Sequence, residues 1–172
     1  MKWAIWAIGA IIAIGAIVVT TGMLLPKAHV ASVTAKYKTS PDKLFNAITD
    51  VANGPKWRTG LTRVEILGQN PLKWREEASW GKLTMVMDES TSPSKAVSRI
   101  ADTSQGFGGT WTYDIKPDGT GSVVTIAENG EVYNPLFRFM SKFVFGHYKS
   151  LETYHNDLAK HFGEAVTTER VR

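Results

Sequence analysis

The sequence predicts an α+β protein in which a curved antiparallel sheet of about seven strands is wrapped on a long C-terminal helix, with one transmembrane helix ahead of both. Three observations carry this. An uncharged apolar run occupies the N-terminus, seven short segments alternate with period two, and a final segment repeats apolar residues at spacings of three and four.

From Trp3 to Leu25 no residue is charged, and about 23 residues at 1.5 Å rise make roughly 34 Å of helix, enough to cross a hydrocarbon core. Lys2 and Lys27 bracket the run, Trp3 and Trp6 stand where an interfacial aromatic belt would lie, and Pro26 ends the helix. The alternative is a cleaved signal peptide, but the apolar run is long for one and Val33-Thr34-Ala35 matches a small-residue cleavage site poorly. Residues 1–27 are therefore expected as an anchor in the cell membrane, crossing once. Lys2 and the amino terminus favour a cytoplasmic start, whereas Lys27, Lys36, Lys38 and Lys43 pull the other way. A long folded domain translocates largely regardless of such charges, so an extracytoplasmic domain is expected.

His29 to Tyr37 alternates and is rich in β-branched residues, which reads as the first strand. Ser40-Pro41-Asp42 opens a helix whose apolar face is Leu44, Phe45, Ala47, Ile48 and Val51, and Asn53-Gly54-Pro55 stops it. Six strands follow, over Leu61–Gly68, Leu72–Trp80, Leu83–Ser90, Ala96–Asp102, Thr110–Lys116 and Ser122–Tyr133, divided by turns rich in glycine, proline and asparagine. Trp74, Glu76, Ala78 and Trp80 share one face, as do Leu83, Met85 and Met87, and Trp111, Tyr113 and Ile115. Asn134-Pro135 opens the last helix, expected to run unbroken to about Phe162 with Phe137, Met140, Val144, His147, Leu151, Tyr154 and Leu158 on its apolar stripe. The domain is expected over residues 28–163 and a flexible tail over 164–172.

This order of elements is that of the helix-grip fold. The stretches Ser40-Pro41-Asp42-Lys43-Leu44-Phe45, Pro55-Lys56-Trp57, Leu72-Lys73-Trp74-Arg75-Glu76, Trp111-Thr112-Tyr113 and Glu128 to Leu136 resemble the START-like or SRPBCC superfamily, also called the polyketide cyclase/dehydrase and lipid transport family. The resemblance covers roughly residues 28 to 163. It implies a deep apolar cavity between sheet and helix that holds a lipid or another hydrophobic small molecule. It carries no universal catalytic set, so it assigns no residue of this chain a catalytic role.

The faces nominate Trp74, Glu76, Met85, Met87, Trp111 and Tyr113 from the sheet, and Met140, Val144, His147 and Leu151 from the helix, as cavity residues. His147 on the apolar stripe could act as a base or donate to a ligand oxygen; a structural hydrogen bond at the helix margin is the alternative. Glu76 is either a buried carboxylate or a wet edge residue. Glu128 and Arg138 are expected to form an ion pair fastening the last strand to the helix start. If Glu76, Glu128, Arg138 and His147 met in the cavity, they would make an acid–base set for cyclisation or dehydration. A non-catalytic membrane-bound role toward a hydrophobic molecule is the favoured expectation, with such an enzyme or a solid partner-binding domain as alternatives.

Other classes find little support. Cysteine is absent, which excludes disulfides and thiolate chemistry. No metal or other cofactor is expected, since His29, His147, His155 and His161 lack paired-ligand spacing, and His155 and His161 read as solvated. Gly106-Phe107-Gly108-Gly109 lacks the βαβ context of a dinucleotide site and reads as a turn. The net charge of +4 comes from dispersed residues, without the basic stripe of a nucleic-acid binder.

Overall fold

The computed structural model describes residues 2–79 and 81–171, the side chain of Lys2 excepted. Trp80, expected on the Trp74 face, lies outside the described residues. Helix α1 spans Lys2–Leu24. Within Trp3–Leu24 an 18-residue window has a mean hydropathy of 2.3 and none of that window is buried, so the helix is long and apolar enough to cross a membrane, while Gly22 near its end is buried. Apolar residues occupy its whole circumference, unlike the single stripe of a helix lying on a soluble core.

Strand β1 (Ala28–Tyr37) follows at once, then α2 (Pro41–Thr49) and a 3₁₀ turn over Val51–Lys56. Pro41 and Asp42 occupy the first turn of α2 as expected, whereas the Ser40 side chain makes no capping hydrogen bond. Strands β2 (Leu61–Gln69), β3 (Leu72–Ala78), β4 (Gly81–Thr91), β5 (Lys95–Ile100), β6 (Phe107–Asp118) and β7 (Gly121–Val132) form an antiparallel meander. β1 joins its far side, giving the order β2-β3-β4-β5-β6-β7-β1 and then an eighth strand. Gly108 and Gly109 lie inside β6, paired with Glu131 and Gly130 of β7, so the expected glycine turn is shorter than its sequence suggests.

That eighth strand is β8, Thr168–Val171, antiparallel to β1 in the segment expected to be a flexible tail. Side chains hold it there. Arg170 donates to Glu152 at 2.8 Å and its guanidinium lies 4.7 Å over the Tyr148 ring, while Glu164 accepts from the Lys38 amide at 2.7 Å and from the Thr39 hydroxyl.

The C-terminal helix is not continuous. Asn134 caps α3 (Pro135–Met140) by accepting from the amides of Leu136 and Phe137. The chain then widens into a π turn over Ser141–Phe145, closed by the Gly146 amide on the Ser141 carbonyl at 3.0 Å. Gly146 adopts φ +72°, a left-handed conformation that a side chain would disfavour, and ends the helical run. A new helix, α4 (Lys149–His161), begins three residues later.

Of α3 and α4 only α4 lies in the core, burying Leu151, Tyr154, His155, Leu158 and Ala159 at spacings of three and four against Ala31, Val33, Val124 and Ile126 of the sheet. His155, expected to be solvated, is fully buried. Its Nε2–H donates to the Val33 carbonyl oxygen at 3.1 Å, which leaves Nδ1 to accept from the Tyr37 hydroxyl at 2.9 Å. The break also moves Phe137, Val144 and their neighbours out of the core, where Phe143 and Val144 are each 58 % exposed.

The α3 segment instead packs on the end of α1. Gly22 lies so close to the Pro135 carbonyl that a β-carbon there would collide with it. Arg138 donates to the Leu25 carbonyl at the C-terminal end of α1 and to the Tyr133 carbonyl, each at 3.0 Å. This placement also overturns the expected Glu128–Arg138 pair. A guanidinium satisfies helix-end carbonyls well, and Glu128 has a different partner, His29 at 3.2 Å.

Burial pushes the His155 imidazole down to about 4, against a weaker upward pull from the Val33 carbonyl. The unfolded chain, with a value near 6.5, then binds the proton first as pH falls. The imidazole's contribution is therefore complete above about pH 6.5 and is lost as pH drops from there through 4, reaching about 3 kcal/mol. Urea midpoints measured from pH 7 to pH 4 should fall for the native chain, and His155→Asn should be less stable at pH 7 but flatter across that interval.

Candidate functional site

A cavity of about 450 Å³ lies between the sheet and α4. Its walls are Leu83, Met85 and Met87 of β4, Ile100 of β5, Trp111 and Tyr113 of β6, Ile48 and Val51 from the α2 region, and Tyr154 of α4. Alternation puts the sheet residues on one side, because every second residue of a strand faces the same way. Tyr154 makes edge contacts with Trp57 and Trp111, at ring separations of 5.2 and 5.8 Å, so aromatic packing shapes one end of the chamber. Thr59, Lys149, Ser150, Thr153 and Asp157 complete the lining with polar groups.

A buried ion pair lies in the same wall. Arg58 forks onto Glu76, Nη1 to Oε1 at 2.6 Å and Nη2 to Oε2 at 3.1 Å, and the Trp74 indole N–H donates to Oε1 at 3.0 Å. The Glu76 side chain is 6 % exposed and that of Arg58 25 %. Burial works against the Arg58 charge, but the Glu76 carboxylate outweighs it and holds the guanidinium's pKa above its ordinary value. Burial raises both the Tyr113 and Tyr154 phenols, so they stay neutral and able to donate. The arrangement suits an apolar molecule with one or two polar atoms. As a source of general-base chemistry it is poor, because both Glu76 oxygens are already occupied.

All six sheet candidates, Trp74, Glu76, Met85, Met87, Trp111 and Tyr113, line this cavity. The helix candidates do not. Leu151 is fully buried in the core, Val144 is exposed, and Met140 and His147 line a second cavity of about 460 Å³ beneath α3. There the His147 ring stacks on His29 at 3.8 Å, and burial lowers its pKa, helped by neighbouring His29. The expected acid–base set is therefore not assembled. Glu76 belongs to the central cavity, Glu128 and His147 to the second, and Arg138 to the α1 junction. Among the described residues, no group of three or more histidines and carboxylates is arranged to hold a metal ion.

Sequence reasoning missed Arg58, Ser98 and Tyr154 as lining residues. Tyr154 was visible on the helical stripe. Arg58 sits in a connector, where no periodicity indicates direction, although an unpaired carboxylate on an apolar strand face is a signal to look for a cation.

The chain belongs to the polyketide cyclase / dehydrase and lipid transport family, whose sequence pattern matches residues 28–150. Among solved structures it is similar to norcoclaurine synthase from Thalictrum flavum, at 12 % identity and a TM-score of 0.63, covering 80 % of this chain and 87 % of that one. It is similar also to a START superfamily protein from Mycobacterium smegmatis, at 15 % identity and a TM-score of 0.64, covering 77 % and 96 %. A conserved protein from Geobacillus kaustophilus gives 12 % identity and a TM-score of 0.65, covering 82 % and 99 %. At these identities the likeness is one of fold. No curated protein matches the chain significantly.

Glu76→Leu should cost about 3 kcal/mol, because it strands the Arg58 charge in a largely apolar wall. The double variant Arg58→Met with Glu76→Leu should recover most of that loss. Urea denaturation of the two single variants and the double variant measures this, and additive losses would mean that the pair is not coupled.

Proposed function

We propose that this protein binds a hydrophobic small molecule or lipid in the central cavity while tethered to a membrane by α1, and holds that molecule ready for transfer or presentation. The observation that carries the reading is the 450 Å³ chamber, whose Trp, Met and Tyr walls enclose a few polar groups, among them the paired Arg58 and Glu76. A sheet packed solidly against α4, as in a domain that only binds partners, would leave no such space. The family's description, which includes lipid transport, supports the same class of ligand. A norcoclaurine synthase structure of this fold is described in complex with dopamine and hydroxybenzaldehyde, which supports occupancy of the fold by small aromatic molecules.

Tethering is supported by the composition and exposure of α1. Twenty-two consecutive apolar or uncharged residues, nearly all of them exposed, would be costly to leave in water, and a bilayer supplies the missing apolar surroundings. A cleaved signal sequence would have the same composition. Intact mass of the protein from the membrane fraction separates the two, since a tether requires that residues 1–27 be retained after carbonate extraction.

The binding reading is tested on delipidated protein in detergent. The neutral fluorophore phenylnaphthylamine should be taken up with quenching of tryptophan emission, and Met87→Trp, which fills the chamber, should weaken uptake by about tenfold, a loss of about 1.4 kcal/mol. Absence of uptake by the native chain, or full uptake by Met87→Trp, would count against the cavity as the site.

A further inference from the structure

The second cavity is roofed by Phe137, Met140 and Phe145, floored by Phe107 and Val132, and bordered by the stacked His29 and His147 rings beside Glu128. Nothing in the binding reading uses it. Two facts set its place. Ile100 and Ser150 line both this cavity and the central one, so the two chambers meet at the end of β5 and the first turn of α4. Its roof also belongs to the segment that packs on the end of α1 through Gly22 and Arg138.

Beside that junction the π turn exposes Phe143, Val144 and Phe145, the last of them 66 % exposed. Three large apolar side chains in a row are uncommon on a water-facing surface. If α1 spans a bilayer, its end brings this ledge to the bilayer surface, where such residues are stable at the interface. The second chamber then has one side against lipid and another against the central cavity.

Charge narrows what could enter. The acidic residues of the lining are Glu128 and Glu131, no lysine or arginine lines it among the described residues, and burial keeps the His147 ring toward its neutral form. A carboxylate or phosphate headgroup would meet two like charges with no lysine or arginine among the described lining residues to offset them, whereas a hydroxyl could donate to Glu128 or to an imidazole nitrogen.

We propose that the second cavity is a lateral vestibule, through which an uncharged single-chain amphiphile bearing a hydroxyl or carbonyl group passes from the bilayer into the central cavity. This rests on the tethered-binding reading above and adds a route and a charge preference. Gly146 separates the roof from α4, so the π turn can shift without disturbing the core helix.

The test uses the full chain in phosphatidylcholine vesicles containing either a diazirine-bearing hexadecanol or hexadecanoic acid with the same labelled chain. After illumination, adducts are mapped by mass spectrometry. The alcohol should label both the Phe137–Phe145 segment and β4, and at neutral pH the acid should label β4 about tenfold less. Ser141→Trp, which fills the vestibule, and Phe145→Asp, which removes the ledge from lipid, should each cut β4 labelling from vesicles by about tenfold over a fixed short exposure, a barrier increase of about 1.4 kcal/mol. In detergent, with no bilayer to enter from, both variants should label β4 as the native chain does. Unchanged β4 labelling from vesicles in both variants would overturn the route, and equal labelling by acid and alcohol would overturn the charge preference. Failure of the native chain to label β4 in either medium would remove the binding reading, and the vestibule with it.

Discussion

The buried His155 imidazole fixes the relation between α4 and the sheet on which both the core and the cavity depend. One nitrogen meets the Val33 carbonyl and the other the Tyr37 hydroxyl, so two inward positions of β1, on either side of Ala35, are bound to one point on the helix. Leu151 and Leu158 lie one turn to either side and fill the core, while Tyr154, the adjacent residue, is turned to the cavity. A small rotation of α4 would move Tyr154 away from Trp57 and Trp111 and open that end of the chamber. The polar contacts therefore do more than satisfy buried atoms, since they also set the helix phase that apolar packing alone leaves loosely specified.

Interruption of the last helix creates the second feature of the molecule. A single straight helix from Pro135 to His161 would bury Phe137 and Val144 along with Leu151, and would leave no separate roof. Gly146 allows the chain to turn, so that α3 leaves the domain core and rests on α1. The apolar residues of the first half then become a surface, and His147 becomes the partner of His29.

Much of this was legible in the sequence wherever one face of an element is strictly apolar. Strands alternate because one side must be dry, so six of the sheet residues that line the chamber could be named from periodicity alone. Features that depend on contacts between distant segments were hidden. Phe137, Met140, Val144 and His147 continue the stripe of Leu151 and Leu158 at helical spacing, and a lone glycine between them is an ambiguous stop signal. His155 stands four residues after Leu151 and so lies on the buried face, but its polarity argued for water until Val33 and Tyr37 supplied partners. Arg58 lies in a connector without a period, and β8 shows its pairing only beside β1. Arg138 was assigned to a carboxylate because charge pairing can be guessed from sequence, whereas unsatisfied carbonyls at the end of another helix cannot.

The grip of Arg138 on the last carbonyls of α1 has a mechanical consequence. A domain on a flexible linker would swivel freely whatever its anchor did, but here the helix end, the close seat of Gly22 on Pro135 and the immediate start of β1 leave little slack. With α1 in a bilayer, a thinner or thicker hydrocarbon layer would change the tilt of the helix, at a cost of fractions of a kcal/mol per Å of mismatch. The same tilt would swing the whole domain as a lever. Lipid thickness would then set how deeply the apolar ledge is pressed into the headgroups, making the protein's posture a readout of the membrane around it.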